Sequence, residues 1–127
     1  MRDQKVKTSW YHKFIGGWRR AFGSNLLVLD SEVLKKSPWI SVEKVEKHLD
    51  LPRQVSKNSF VVGPRGFYCI KVDATKEFPT GMRCLNKSKG RYHVEISEKT
   101  QTRLRELFKP LNEQFYRDMG INYGWNN

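Results

Sequence analysis

The chain has 127 residues, room for one domain of ordinary size and too little for two. Apolar residues make up 38%, with four Trp, five Tyr and seven Phe, which excludes a disordered chain of low hydrophobicity. Lys and Arg number 24 against 13 Asp and Glu, a net charge of +11, and apolar runs reach four residues against the roughly 20 that span a bilayer, so no transmembrane helix is expected.

Met1 to Lys7 has no apolar stretch behind its charges, so no signal peptide is expected there. A helix is predicted to start near Thr8 or Ser9, either of which can cap it. Trp10, Phe14, Trp18 and Phe22 recur every four residues and share one face, a stripe expected to be held by packing. Gly16 and Gly17 interrupt it, each costing about 1 kcal/mol against Ala. Gly23-Ser24-Asn25 breaks the helix, and Leu26 to Leu29 reads as a buried parallel strand ended by Asp30-Ser31-Glu32. Glu32, just past that strand, reads as a plain helix-starting acid, not a catalytic group. Ser37-Pro38 opens a second helix with an apolar face of Val42, Val45 and Leu49, closed by Leu51-Pro52. Helix, strand, helix is the crossover pattern of an α/β protein.

Phe60-Val61-Val62 and Phe67 to Ile70 flank Gly63-Pro64-Arg65-Gly66, the pattern of a β-hairpin. A loop is expected from Asp73 to Arg83. The last helix is capped by Ser97, carries Leu104, Leu107, Phe108, Leu111, Phe115 and Met119 at helical spacing, and stops at Gly120. Pro110 is expected to kink or split it, and Trp125 lies in the tail.

The charge is unevenly placed: a net of +5 over residues 1–20, −1 over 21–50, +7 over 51–93 and zero over 94–127. Arg83 to His93 carries four cations and no acid, a field that suits a polyanionic partner or a solvated basic surface equally. Within it, Gly90 permits a sharp turn whose N–H groups can hold an anion. Arg91 can clamp a phosphate through two hydrogen bonds, Lys89 can act as a mobile charge, and Tyr92 or Tyr68 could stack on a purine. Cys69 and Cys84 enclose fourteen residues. They are either a bridge worth about 3 kcal/mol or two free thiols. His12, His48 and His93 stand at no recognised metal spacing, so no metal is expected. No P-loop motif, dinucleotide fingerprint or nucleophile elbow is present in these residues.

From Phe67 the string F-Y-C, then R-C-L-N-K-S-K-G-R-Y-H-V-E-I, then L-R-E-L-F-K-P-L-N-E-Q-F-Y-R-D-M-G-I-N-Y-G-W resembles the carboxyl end of the heparan sulfate sulfotransferases, in their 3-O-sulfotransferase and N-deacetylase/N-sulfotransferase branches. Upstream, W-R-R-A-F-G-S-N-L-L-V-L-D-S-E resembles the family's helix and buried strand. The resemblance runs from about Trp10 onward. It implies a P-loop-kinase-like α/β fold, a parallel sheet flanked by helices plus a β-hairpin, of which residues 1–127 are a partial sulfotransferase domain. It implies transfer of a sulfuryl group from 3′-phosphoadenosine 5′-phosphosulfate to a glucosamine hydroxyl or amine of heparan sulfate or a related glycan in the Golgi lumen, with no nucleic acid as partner.

By the same resemblance Tyr68, Lys89, Gly90, Arg91, Tyr92 and His93 help hold the nucleotide, and Cys69 and Cys84 form the family's disulfide. Val94 stands where the family has Pro, which alters the turn and leaves its cations in place. The family's Lys-Gly-Thr-Thr-like phosphosulfate loop, its carboxylate base, and its Arg and Ser for the 3′-phosphate are not found in these 127 residues. No catalytic residue is therefore assigned, and the chain is expected to be inactive by itself. The alternative is a non-catalytic basic module that binds nucleic acid or sulfated glycan through residues 51–93.

Overall fold

The computed structural model describes residues 4–86 and 94–125. In chain order it has helices α1 (Gln4–Thr8), α2 (Tyr11–Phe22), α3 (Ser31–Lys36) and α4 (Pro38–His48), strands β1 (Phe60–Val62), β2 (Tyr68–Lys71) and β3 (Met82–Arg83), and helix α5 (Glu98–Met119). The chain divides into two compact units, Met1–Leu26 with His93–Asn127, and Leu27–Tyr92.

In the first unit α2 starts near the expected place, but its cap differs. Trp10 occupies the N-cap and offers no side-chain hydrogen bond, so neither Thr8 nor Ser9 caps it. Gly16 and Gly17 stay helical. The expected buried stripe is corrected: Phe14, Trp18 and Phe22 are 45%, 58% and 56% exposed, and Ile15 is the buried residue of the helix. Helix α2 packs chiefly on α5, with the Tyr11 ring 5.8 Å from that of Phe115. The partner helix covers the strip at Ile15 and leaves the outer rings uncovered.

Helix α5 follows its sequence signals. Ser97 Oγ accepts a hydrogen bond from the Thr100 N–H at the start. Gly120 ends it at φ 67, a left-handed conformation that costs glycine little. Pro110 does not split the helix. It removes one donor, and the carbonyl it leaves free belongs to exposed Glu106, where solvent replaces the missing bond. The tail returns over the helix: Trp125 stacks on Tyr123 at 4.9 Å and on Phe115 at 5.6 Å, and its backbone N–H donates to Tyr116 Oη.

The second unit corrects two further expectations. Leu27 to Leu29, with Leu26 before them, are half-buried but form no strand. Leu26 and Asp30, at the two ends of the run, are both in the extended region. Apolar β-formers make an extended run, but a strand also needs a ladder partner, and none is present among the described residues. Asp30 does not simply end this run; its Oδ1 accepts from the Glu32 N–H and caps α3, which carries Glu32 in its first turn, the place of a helix-starting acid.

Helix α4 opens at Pro38 as expected and stops at His48, before Leu51-Pro52. Val42 and Val45 are half-buried and Leu49 is exposed, while Pro38, Ser41 and Glu46 are buried. Glu46 fixes the chain that follows, because its Oε1 accepts from the N–H groups of Gln54 and Val55, each at 3.0 Å. The hairpin is present, with β1 antiparallel to β2 in the register Val61 to Cys69. Strand β3, unanticipated within the expected loop, pairs antiparallel with the other edge of β2. The sheet among the described residues is therefore antiparallel and three-stranded, not the expected parallel sheet. No helix among the described residues is long and apolar enough to cross a membrane.

Candidate functional site

The site grows from the hairpin. Gly63 N–H donates to Phe67 O at 2.8 Å, and Gly66, at φ 76, turns the chain through a 3.0 Å bond to Gly63 O. Pro64 presets the second position of this turn. The hairpin lies against a disulfide joining Cys69 of β2 to Cys84, the residue after β3, with 4.4 Å between their Cα atoms. Cys69 is buried and Cys84 is exposed. The bridge is the one the family resemblance implies. It also explains Gly63: a Cβ there would overlap Cys69 Sγ and sit 3.4 Å from Cys84 Sγ and 3.3 Å from Phe67 O. The glycine serves close packing, not only the turn.

Alternation along β2 turns Tyr68 to the face opposite Cys69. Its ring meets Trp39 edge-on at 5.5 Å and Phe60 at 6.4 Å, an aromatic trio that fixes its orientation. Tyr68 lines a groove of about 510 Å³ with Leu34, Pro38, Phe60 and Leu85, and Lys35 and Arg83 bring two cations to it. The Arg83 guanidinium also lies 5.8 Å from the Phe78 ring centre, a cation–π contact. An apolar cleft with an aromatic wall and cations suits a ligand with one flat apolar end and one anionic end.

Beyond Cys84 the chain is strapped to the hairpin. Arg65 Nη2 donates to Leu85 O at 2.5 Å and to Asn86 O at 3.1 Å. Of the residues expected at the site, the structure brings Tyr68, Cys69 and Cys84 together. Lys89, Gly90, Arg91, Tyr92 and His93 lie outside the described residues. Lys35, Trp39 and Arg65 carry no signal in the sequence reading, which has Arg83 only as the first cation of the basic run 83–93. One signal could have found Arg83: pairing the thiols across antiparallel strands places the residue before Cys84 beside Ile70, on the face that Tyr68 shares. Lys35 and Trp39 arrive through the packing of α3 and α4, which no local pattern announces. Among the described residues no group of His, Cys, Asp or Glu is arranged to hold a metal ion.

No family model matches the chain. Individual proteins do. It is 34% identical over 122 residues to heparan sulfate glucosamine 3-O-sulfotransferase 5 of Homo sapiens, an alignment covering 94% of this chain and 34% of that protein. Over those residues the chain is similar to a heparan sulfate glucosamine 3-O-sulfotransferase. The 3-O-sulfotransferase 6 of Mus musculus is also 34% identical, over 94% of this chain and 35% of the relative. The 3-O-sulfotransferase 3B1 of Homo sapiens is 33% identical over 129 residues, covering 94% of this chain and 32% of the relative. The chain thus spans about a third of the length of the curated sulfotransferases it matches.

Proposed function

We propose that residues 1–127 are part of a sulfotransferase domain, the carboxyl-terminal part, that moves a sulfuryl group from 3′-phosphoadenosine 5′-phosphosulfate to the 3-hydroxyl of a glucosamine in heparan sulfate. The observation that carries this reading is the identity of about a third over 94% of the chain to proteins named for that reaction. In this reading Tyr68 offers its ring to the adenine. Lys89, Gly90, Arg91, Tyr92 and His93 hold the nucleotide phosphates, as the K-G-R-Y-H string of the family implies. The chemistry of the groove fits such a donor, since the purine is flat and apolar while its phosphates need cations such as Lys35 and Arg83.

Sulfuryl transfer needs positive charge at the leaving phosphate oxygens and a base on the attacking hydroxyl, in line with the bond that breaks. The residues here supply binding and orientation of the donor. The phosphosulfate loop and the base are not among them, so this polypeptide alone is expected to give no turnover with donor and desulfated heparan sulfate. The run at Leu26 to Leu29, extended at Leu26 and at Asp30 beyond it and without a ladder partner among the described residues, supports a place in a parallel sheet. A luminal Golgi location goes with the sulfotransferase reading.

The test is a titration of the 127-residue chain with adenosine 3′,5′-bisphosphate. The expected result is saturable binding that is lost in Lys89→Ala and Arg91→Ala. Binding confined to long polyanions, falling steeply with salt, would instead make the chain a basic module without a nucleotide site.

A further inference from the structure

Arg83, Cys84 and Leu85 form one stretch of the groove's lining. Little secondary structure holds this wall. Strand β3 has two residue pairs with β2, Ile70 with Arg83 and Lys71 with Met82. Past Cys84 the ladder has ended, and Leu85 and Asn86 are exposed. The disulfide and Arg65 also restrain the chain here.

Arg65 lies at the tip of the hairpin and reaches twenty residues along the chain. One nitrogen of its guanidinium serves two consecutive carbonyls, those of Leu85 and Asn86. A charged donor to a carbonyl makes a stronger bond than a neutral one, and the planar group loses little freedom in making it. The side chain lies over a small hollow of about 20 Å³ bounded by Gly63, Cys69, Cys84 and Leu85, so the strap and the disulfide share one locus.

We infer that Arg65 is a positioning residue of the donor site: it acts through the Leu85 and Asn86 carbonyls to hold in place the Cys84–Leu85 segment that lines the groove with Tyr68, and it does not itself bind the nucleotide. This rests on the nucleotide reading of the groove given above. A cation that merely adds to the positive field and a cation that straps the wall differ in what they do to the bridge. Cys84 is the exposed half of the disulfide, and Arg65 restrains the two residues that follow it. Loss of the strap should therefore ease the approach of a small thiol to that sulfur.

The experiment compares Arg65→Ala and Arg65→Lys with the unaltered chain in two measurements. The first is the rate at which dithiothreitol reduces the Cys69–Cys84 bridge under native conditions. The second is the affinity for adenosine 3′,5′-bisphosphate. The strap predicts faster reduction in Arg65→Ala, by about fivefold or more, with affinity lowered by about five- to tenfold. Arg65→Lys, which keeps the charge but not the planar fork, should recover only part of each effect. An unchanged reduction rate in Arg65→Ala, or full recovery of affinity in Arg65→Lys with no change in reduction, overturns the inference and leaves Arg65 a contributor to field alone. If Arg91→Ala binds the nucleotide as well as the unaltered chain, it is the nucleotide reading that fails. If Arg91→Ala loses binding and Arg65→Ala keeps it, the positioning role fails by itself.

Discussion

Replacing Gly63 by Ala tests how the hairpin and the disulfide fit together. The added methyl would overlap Cys69 Sγ and press on Cys84 Sγ at 3.4 Å and on Phe67 O at 3.3 Å. Gly63 is buried, and its own N–H is bonded to Phe67 O at 2.8 Å, so the backbone cannot retreat without giving up that bond. Forcing a methyl into a packed site costs about 1–3 kcal/mol. Ala also restricts the unfolded chain, which offsets about 0.4–1 kcal/mol of that. The net loss expected is about 1–2 kcal/mol, or roughly a five- to thirtyfold rise in the open population. Amide exchange of the β1–β2 ladder reads the stability of this unit without averaging over the other. The same substitution in a chain with both Cys69 and Cys84 changed to Ala separates the causes, because the crowding sulfurs are then gone. There the penalty should fall close to zero. Equal losses in both backgrounds, or no loss with the bridge intact, would refute the packing argument for this glycine.

Two further outcomes follow from single side chains. Glu46→Ala removes the acceptor shared by the Gln54 and Val55 N–H groups and should cost about 2 kcal/mol or more, whereas Glu46→Gln keeps an oxygen there and should cost less; urea midpoints of the two variants decide it. Pro110→Ala restores a helical donor in the exposed middle of α5 and should stabilise the first unit by about 1–3 kcal/mol, seen as a higher melting temperature by circular dichroism.

Local chemistry was legible in the sequence. Ser97 and Gly120 mark the ends of α5 because capping depends on a few adjacent residues, and the Gly-Pro-Arg-Gly turn marks the hairpin for the same reason. What failed depended on distant partners. Leu26 to Leu29 has the composition of a strand, yet a ladder is made by two segments, and composition describes one. The aromatic spacing in α2 shows that Phe14, Trp18 and Phe22 share a face, but not how wide a partner would lie on it. Asp30 has the chemistry of a cap, but beside an apolar run of strand composition it reads as that run's end. At the candidate site, Tyr68 and the two cysteines were found from the resemblance. Lys35, which lines the groove from α3, and Trp39, which packs on Tyr68 from α4, lie on helices with no shared pattern.

The unequal burial of the two sulfurs gives the bridge a direction. A thiolate arriving from solvent meets Cys84, bonds to that sulfur, and expels Cys69 as the leaving group into surroundings that disfavour its charge. The departing sulfur stays under the hairpin, pressed close to Gly63, where a second incoming thiol has little room. Mixed adducts should therefore form on Cys84, and the resident Cys69 sulfur is well placed to displace them and reseal the link.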